Sequence, residues 1–324
     1  MESVKVTSPT RVDLAGGTLD LWPIYNFLDK PVTINLAIDV FSNADLKVRS
    51  DKKVILDSKD LNKSVEYENI DACLADEECE LVLLQEVVRF YEPNMGFHLS
   101  TWSESPVGAG LGGSSSLCIS IMRAFEKSLG LELEVNELVN AAHNIESRLL
   151  KTPTGTQDYF PPRLGGALAL HYKKNKIYTE TLDLPKEILA NHLVLVYTGR
   201  PHHSGLNNWQ VLKSLIDGDE KTLDCLKKLN EVSKDLLETI RAKQWQNITE
   251  LFKREYQHRV ALSSVFTSPE IERLASETQA KGASAIKICG AGGGGCVLLW
   301  CQDPISKPAV EQQVEQMGFK ILPF

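Results

Sequence analysis

Residues 105–116 read Ser105-Pro106-Val107-Gly108-Ala109-Gly110-Leu111-Gly112-Gly113-Ser114-Ser115-Ser116 and run directly into an apolar, helix-periodic stretch ending at Leu129. Glycine reaches positive φ at no steric cost, so such a run lets successive backbone N–H groups turn into one concavity. The helix that follows adds unpaired N–H donors and the positive end of its dipole, an arrangement that favours phosphate. Serine hydroxyls at the helix start are placed to meet a phosphate oxygen or a metal. A Walker-type loop is excluded because no lysine lies in the turn. Gly108, Gly110 and Gly113 match GxGxxG. However, the segment is far from the N-terminus, opens with proline and ends in three serines, and no acidic residue closes a following strand, as a dinucleotide site requires. The plain alternative, a flexible surface turn, sits poorly with glycines that abut a helix start.

Two further glycine segments stand out. Lys287-Ile288-Cys289-Gly290-Ala291-Gly292-Gly293-Gly294-Gly295-Cys296 lies between apolar runs. Glycine is costly there, so close approach to a ligand competes with a simple hairpin turn. Pro9-Thr10-Arg11-Val12-Asp13-Leu14-Ala15-Gly16-Gly17-Thr18-Leu19-Asp20 sets Arg11 and Asp20 around a glycine turn. Taken alone, that Arg and Asp read as a structural ion pair.

Around these segments, strands are expected at 3–14, 32–40, 44–48 and 96–101, and helices at 81–91, 114–129 and 136–150, the last capped by Asn136. After Gly165-Gly166 come two strands, helices near 205–217, 220–241, 244–263 and 269–281, two strands flanking the glycine run, and a final helix and strand. This mixed order predicts an α+β fold. At 324 residues the chain exceeds one ordinary core, so two domains are expected, 1–165 and 166–324.

Hydrophobic residues at 43% and charged residues at 24% exclude disorder and a long coiled coil. A net charge of −8 without a basic stripe argues against nucleic acid as a partner. No apolar run is long enough to span a membrane. The N-terminus is not a basic segment followed by an apolar one, so a cytoplasmic location is expected. Seven cysteines without a CxxC pair read as free, mostly buried thiols rather than a zinc site. Nothing in the sequence specifies an oligomeric state.

The three glycine segments, in this order, resemble the motifs of the GHMP small-molecule kinases. SPVGAGLGGSSSL is similar to the family's phosphate loop, KICGAGGGGCVLL to its C-terminal glycine motif and PTRVDLAGGTLD to its N-terminal motif. TPTGTQDYFPPRLGG, residues 152–166, resembles the Gly-x-Gln-Asp-Gln-Tyr stretch of the sugar-kinase branch, notably the D-glycero-D-manno-heptose 7-phosphate kinases. Leu19, Gly113 and Tyr159 replace the Thr, Ser and Gln usual at those places. The resemblance implies a two-domain GHMP kinase fold, with an N-terminal domain like ribosomal protein S5 domain 2 and a ferredoxin-like C-terminal domain. ATP and a small-molecule substrate are then expected to meet in the cleft between them.

By resemblance, Pro106, Gly108, Ala109, Gly110, Leu111, Gly112, Gly113, Ser114 and Ser115 wrap the ATP phosphates, and Ser114 and Glu146 hold Mg²⁺. Read without the family, Glu146 is an exposed helix carboxylate and Asp158 a turn former. The resemblance makes Asp158 the residue that accepts or orients the acceptor hydroxyl proton, with Arg11 beside it as the cation. It assigns Gly17, Thr18, Asp20, Gly292 and Gly293 to the acceptor. An aspartate at Asp20 favours a sugar over mevalonate. Trp22 and Tyr25 are candidates either for stacking on a sugar ring or for the core. His202, His203 and Ser204 follow Tyr197-Thr198-Gly199-Arg200 as a polar loop, since adjacent strand histidines face opposite ways and do not pair on a metal. If the acceptor carries a phosphate, Lys30, Arg163 and Arg200 are the nominated cations. Three readings follow: a sugar or sugar-phosphate kinase, a mevalonate-type kinase, and a catalytically silent sensor on the same fold. Joint retention of Arg11, Ser114, Glu146 and Asp158 argues against silence.

Overall fold

A computed structural model describes residues 3–201, 204–290 and 292–324. His202 and His203, singled out above, lie outside the described residues, as does the Ser204 side chain. The first strand, β1 (Ser3–Ala15), pairs antiparallel with the long β2 (Val32–Val48) over most of its length. The two strands expected at 32–40 and 44–48 are one, because the sheet absorbs the irregular pattern between them as a register shift. That shift lies opposite Pro9/Thr10, where proline has no N–H to give the ladder. Beyond it, strand period 2 sets Arg11 and Asp13 on one face and Val12 and Leu14 on the other.

β3 (Val54–Ser58) and β4 (Lys63–Tyr67) form a hairpin that the sequence reading missed, and α1 (Ile70–Ala75) and α2 (Val82–Tyr91) carry the chain to β5 (Phe97–Ser103), parallel to β3. Next come α3 (Gly113–Leu129) and α4 (Val135–Leu150), then α5 (Phe160–Leu164), β6 (Ala167–Tyr172) and β7 (Ile177–Leu182). β5 and β6 share one edge of β2 end to end, while β1 takes the other. β6 and β7 therefore complete the first, seven-stranded sheet, and the expected division at 165/166 does not fall at a sheet boundary. Gly165 and Gly166 end a helix inside the first half; sheet membership changes only after Leu182.

The second half continues with α6 (Lys186–His192), β8 (Leu193–Tyr197), α7 (Ser204–Ile216), α8 (Glu220–Arg241), α9 (Ile248–Leu262) and α10 (Pro269–Gln279). β9 (Ala283–Ile288), β10 (Cys296–Cys301), α11 (Lys307–Gln316) and β11 (Lys320–Leu322) close the chain. Its sheet is antiparallel in the order β11-β8-β10-β9, the 4-1-3-2 arrangement of a ferredoxin-like βαββαβ unit, as expected.

Three buried cores hold these layers. One packs α2, α3 and α4 under the Val6–Leu46 end of the first sheet. A second joins Val12, Leu14 and Ile34 of β1 and β2 to Val232, Phe252 and Trp300 of the second half. The third lies within the second half but also takes in Leu19, Leu21 and Ile24 from the N-terminal turn. Leu19 is thus a core side chain, which accounts for an apolar residue where a threonine is usual. All seven cysteines are free and buried. Among the described residues no helix is long and apolar enough to cross a membrane.

Candidate active site

The glycine loop 105–112 is built by backbone geometry. Gly108, Gly110 and Gly112 all have positive φ, and Gly112 itself is the N-cap of α3, with no side-chain cap. The serines at the start of this helix therefore do not cap it. The serines serve elsewhere: Ser116 Oγ donates to the Ser8 and Pro9 carbonyls and Ser120 Oγ to that of Ser42, pinning α3 across β1 and β2. Ser114 is left exposed in the first turn of α3, while Ser115 is buried. Asn136 is likewise not a cap; Glu134 and Glu137 form a capping box for α4, and Asn136 accepts from the Ile177 N–H.

The other two glycine segments clasp this loop. Arg11 N–H donates to Leu111 O at 3.0 Å, and Cys296 N–H to Ala109 O at 2.7 Å. A Cβ on Gly290 would lie 3.0 Å from Gly110 Cα, and one on Gly295 2.7 Å from Ala109 O. Gly290 and Gly295 therefore admit the backbone of the loop 105–112, and Gly290 also lines the cleft that opens along it. Gly292 and Gly293, nominated for the acceptor, pack instead on Phe266: Gly293 N–H donates to its carbonyl, and a Cβ on Gly292 would fall 2.4 Å from that oxygen.

A cleft of about 830 Å³ opens along the loop, within the range of small-molecule sites. Its lining contains Arg11, Thr18, Asp20, Ser114, Ser115, Glu146 and Asp158, together with the whole loop 105–113. Leu81–Leu84, Leu61 and Leu117 add an apolar wall that the sequence reading did not identify, because it is made of ordinary helix and hairpin positions. Gly17, Gly292 and Gly293 are not part of the lining. Nor are Trp22, which is solvent-exposed, and Tyr25, which stacks on Tyr172 with ring centroids 5.3 Å apart. Lys30, Arg163 and Arg200 are also absent from it; Arg200 pairs with Glu270 at 2.9 Å and Arg163 faces Glu132 at 3.6 Å. Arg11 is the one cation lining the cleft among the described residues.

Arg11 does not pair with Asp20. Its Nε and Nη2 both donate to Asp158 Oδ1, at 2.8 and 2.5 Å, and its Nη1 donates to Gly110 O at 2.6 Å. One guanidinium thus joins the acidic residue of the 152–166 segment to the glycine loop. Burial works against the charge on Arg11, but Asp158 and Asp13 outweigh it and hold its pKa above the ordinary arginine value. Gly112 makes room for this pair, since a Cβ there would stand 3.3 Å from Asp158 Cβ.

Asp20 lies nearby on a separate support. Gln157 N–H donates to its Oδ2 at 3.1 Å, and Gly155 faces it so closely that a Cβ would come within 1.9 Å of the same oxygen. Burial, then the charge of Asp158, pushes Asp20 up to about 7. Glu146 is buried rather than exposed. Burial raises its pKa, opposed by the hydroxyls of Ser114, Ser115 and Tyr159, and its Oε2 has no hydrogen-bond partner. A buried orphaned carboxylate oxygen beside serine hydroxyls is a donor set suited to a hard cation. No cluster of three His, Cys, Asp or Glu occurs among the described residues.

Behind the cleft lies a group of charges that the sequence reading did not assemble. Lys287 Nζ donates to Asp13 Oδ2 at 2.6 Å and lies 3.5 Å from Glu255, which in turn accepts from Arg259 Nε and Nη2 at 2.8 and 2.6 Å. All four side chains are fully buried. Two of them were visible, as charges inside the apolar strands of the quoted motifs. Glu255 and Arg259, four apart on a helix, resemble an ordinary surface pair.

The arrangement has known counterparts. Residues 81–166 match the GHMP kinases N terminal domain and residues 234–320 the GHMP kinases C terminal domain, together more than half of the chain. The chain is 27% identical to the D-glycero-alpha-D-manno-heptose 7-phosphate kinase of Campylobacter jejuni, over 95% of this chain and 91% of that protein. It is 24% identical to the mevalonate kinase of Saccharolobus solfataricus, covering 83% of each. In fold it is similar to a D-glycero-D-manno-heptose 1-phosphate kinase from Bacteriodes thetaiotaomicron, with a TM-score of 0.79 and 19% identity over 100% of this chain and 95% of that one. The motifs, the two sheets and these matches agree: the chain belongs to the GHMP kinase family, as a phosphotransferase with a hydroxyl acceptor.

Proposed function

We propose that this protein transfers the γ-phosphoryl group of ATP to a hydroxyl of a sugar or sugar phosphate, in the manner of a heptose-phosphate kinase. The observation that carries the reading is the Arg11–Asp158 pair, held against the glycine loop at Gly110 and opening onto the same cleft as Asp20 and Glu146. The heptose 7-phosphate kinase relative, aligned over nearly the whole of both chains, supports a sugar acceptor.

In this reading the positive-φ glycines of residues 108–112 and the first turn of α3 receive the ATP phosphates. Glu146 and the hydroxyls of Ser114 and Ser115 are the residues that would hold Mg²⁺, an ion that neutralises charge on the β- and γ-phosphates. Asp158 accepts the proton of the acceptor hydroxyl. That oxygen then forms a bond to the γ-phosphorus as the bond to the bridging oxygen breaks and ADP leaves. Arg11 fixes the Asp158 carboxylate by a forked contact and places a cation beside the developing charge. Asp20, buried and held by the Gln157 N–H, accepts hydrogen bonds from further acceptor hydroxyls, a source of polyol selectivity.

A coupled ADP-release screen with Mg-ATP tests this against free sugars, sugar phosphates, mevalonate and homoserine, with Asp158→Asn run beside the wild type. Turnover on a sugar or sugar phosphate is expected, with kcat lowered about 10²- to 10⁴-fold in Asp158→Asn. Turnover on mevalonate alone would remove Asp20 as a sugar determinant.

A further inference from the structure

The N-terminal turn carries two cleft residues, Thr18 and Asp20, and closes on local backbone bonds and on a bridge from Leu21 to Gly155. Leu19 N–H reaches Gly16 O at 3.0 Å and Leu21 N–H reaches Thr18 O at 3.3 Å. Thr18 sits at φ 73, a left-handed conformation that a β-branched residue adopts only when its surroundings impose it. What surrounds it is Arg259, from α9 of the opposite half. Nη1 donates to Thr18 Oγ1 at 3.1 Å and Nη2 to Gly17 O at 3.0 Å, so the guanidinium grips both the side chain and the preceding carbonyl. Gly17 is glycine chiefly because a Cβ would stand 2.5 Å from Asp13 Oδ2, with Arg259 Nη2 at 3.3 Å as a second, looser neighbour.

Arg259 is itself immobilised. Glu255 takes its Nε and Nη2, the Phe266 ring lies 5.4 Å from its guanidinium carbon, and its side chain is fully buried. Glu255 also faces Lys287, which donates to Asp13 and to Ile288 O, and Asp13 accepts in turn from the Gly290 N–H at 3.1 Å. The same buried charges therefore end on the acceptor-side turn at one extreme and on the hairpin that clasps the phosphate loop at the other.

We infer that Arg259 is a positioning residue: through Gly17 and Thr18 it sets the turn that presents Thr18 and Asp20 to the acceptor. The inference rests on the function proposed above only in giving that side of the cleft to the acceptor. It stands apart from the family's catalytic pair, because Arg259 does not line the cleft.

Hydrogen exchange tests it without any substrate. Arg259→Lys keeps the buried positive charge but loses the two-pronged grip. The Leu19 and Leu21 amides are expected to lose protection about tenfold, while β8 and β10 amides keep theirs. Thr18→Gly needs no help at positive φ, so adding Arg259→Lys to it should cost these amides little more. Unchanged protection in Arg259→Lys, a uniform loss across both sheets, or fully additive effects would each overturn the inference. For an acceptor found in the screen, Arg259→Lys should raise the acceptor KM about tenfold with nucleotide KM unchanged; equal rises in both would also sink it. Exchange decides the role of Arg259 even if no sugar is turned over, so failure of the sugar-kinase reading is seen separately.

Discussion

At the scale of single residues, the candidate site turns on carboxylates whose surroundings differ. Asp158 lies against a guanidinium, Glu146 against hydroxyls, and Asp20 against an amide in a buried recess. Only Asp20 is displaced to the middle of the physiological range, by burial first and Asp158 second. Its carboxyl ionises near 3.8 in the unfolded chain and near 7 in the folded one. Between those values the folded state binds more protons, so stability present below the lower one is lost as pH rises through the upper. The free energy of unfolding is expected to fall from pH 5 to pH 8, and Asp20→Asn to flatten that fall by about 1–3 kcal/mol. Urea denaturation at stepped pH reads both. None of this was legible in the string Gly-Thr-Leu-Asp, because burial and a neighbour 138 positions away are tertiary facts. The pairing of Arg11 with Asp158 rather than Asp20 was legible only through family resemblance.

At the scale of elements, most helices and strands could be read either from periodicity, where one face is buried, or from a short apolar run, as in β8 and β10, which are buried on both faces. What escaped were short pieces whose pattern is set by their neighbours: the β3–β4 hairpin, β7 and α6. Caps were misread where glycine or glutamate does the work of the serine or asparagine nearby. The third glycine segment packs against the loop 105–112, and its Gly290 also lines the cleft. Gly295, at φ 71, brings the start of β10 against Ala109, leaving no space for a methyl group. Gly295→Ala must therefore displace the loop 105–112 or strain the hairpin. A nucleotide KM raised about tenfold or more is expected, with the acceptor KM changed less than about twofold, from initial rates with each substrate varied in turn.

At the scale of the molecule, the two halves are not separate bodies. β1 and β2 contribute to a core whose other wall is α8, α9 and β10, and the N-terminal turn is buried in the second half. Composition and length announced two domains; the change of sheet after Leu182 was not legible, because the glycine pair at 165–166 ends a helix inside the first sheet's run of chain. The buried charges bind the halves further. Lys287→Met would leave Asp13 and Glu255 in the interior with one cation fewer, and loss of about 3–5 kcal/mol is expected in a single cooperative calorimetric transition.

The free thiols have a use that follows from where they lie. Cys73, Cys79 and Cys118 sit in the helical layer of the first half, Cys225 in α8, Cys289 and Cys296 at the turn between β9 and β10, and Cys301 at the far end of β10. Each is shielded, and burial pushes Cys289 and Cys73 up to about 12, so the folded protein offers an alkylating reagent almost nothing. Modification must wait for opening, and the order in which the seven are tagged records which layer parts first. The protein thus carries, unlabelled and without substitution, a set of chemical clocks distributed through its own interior.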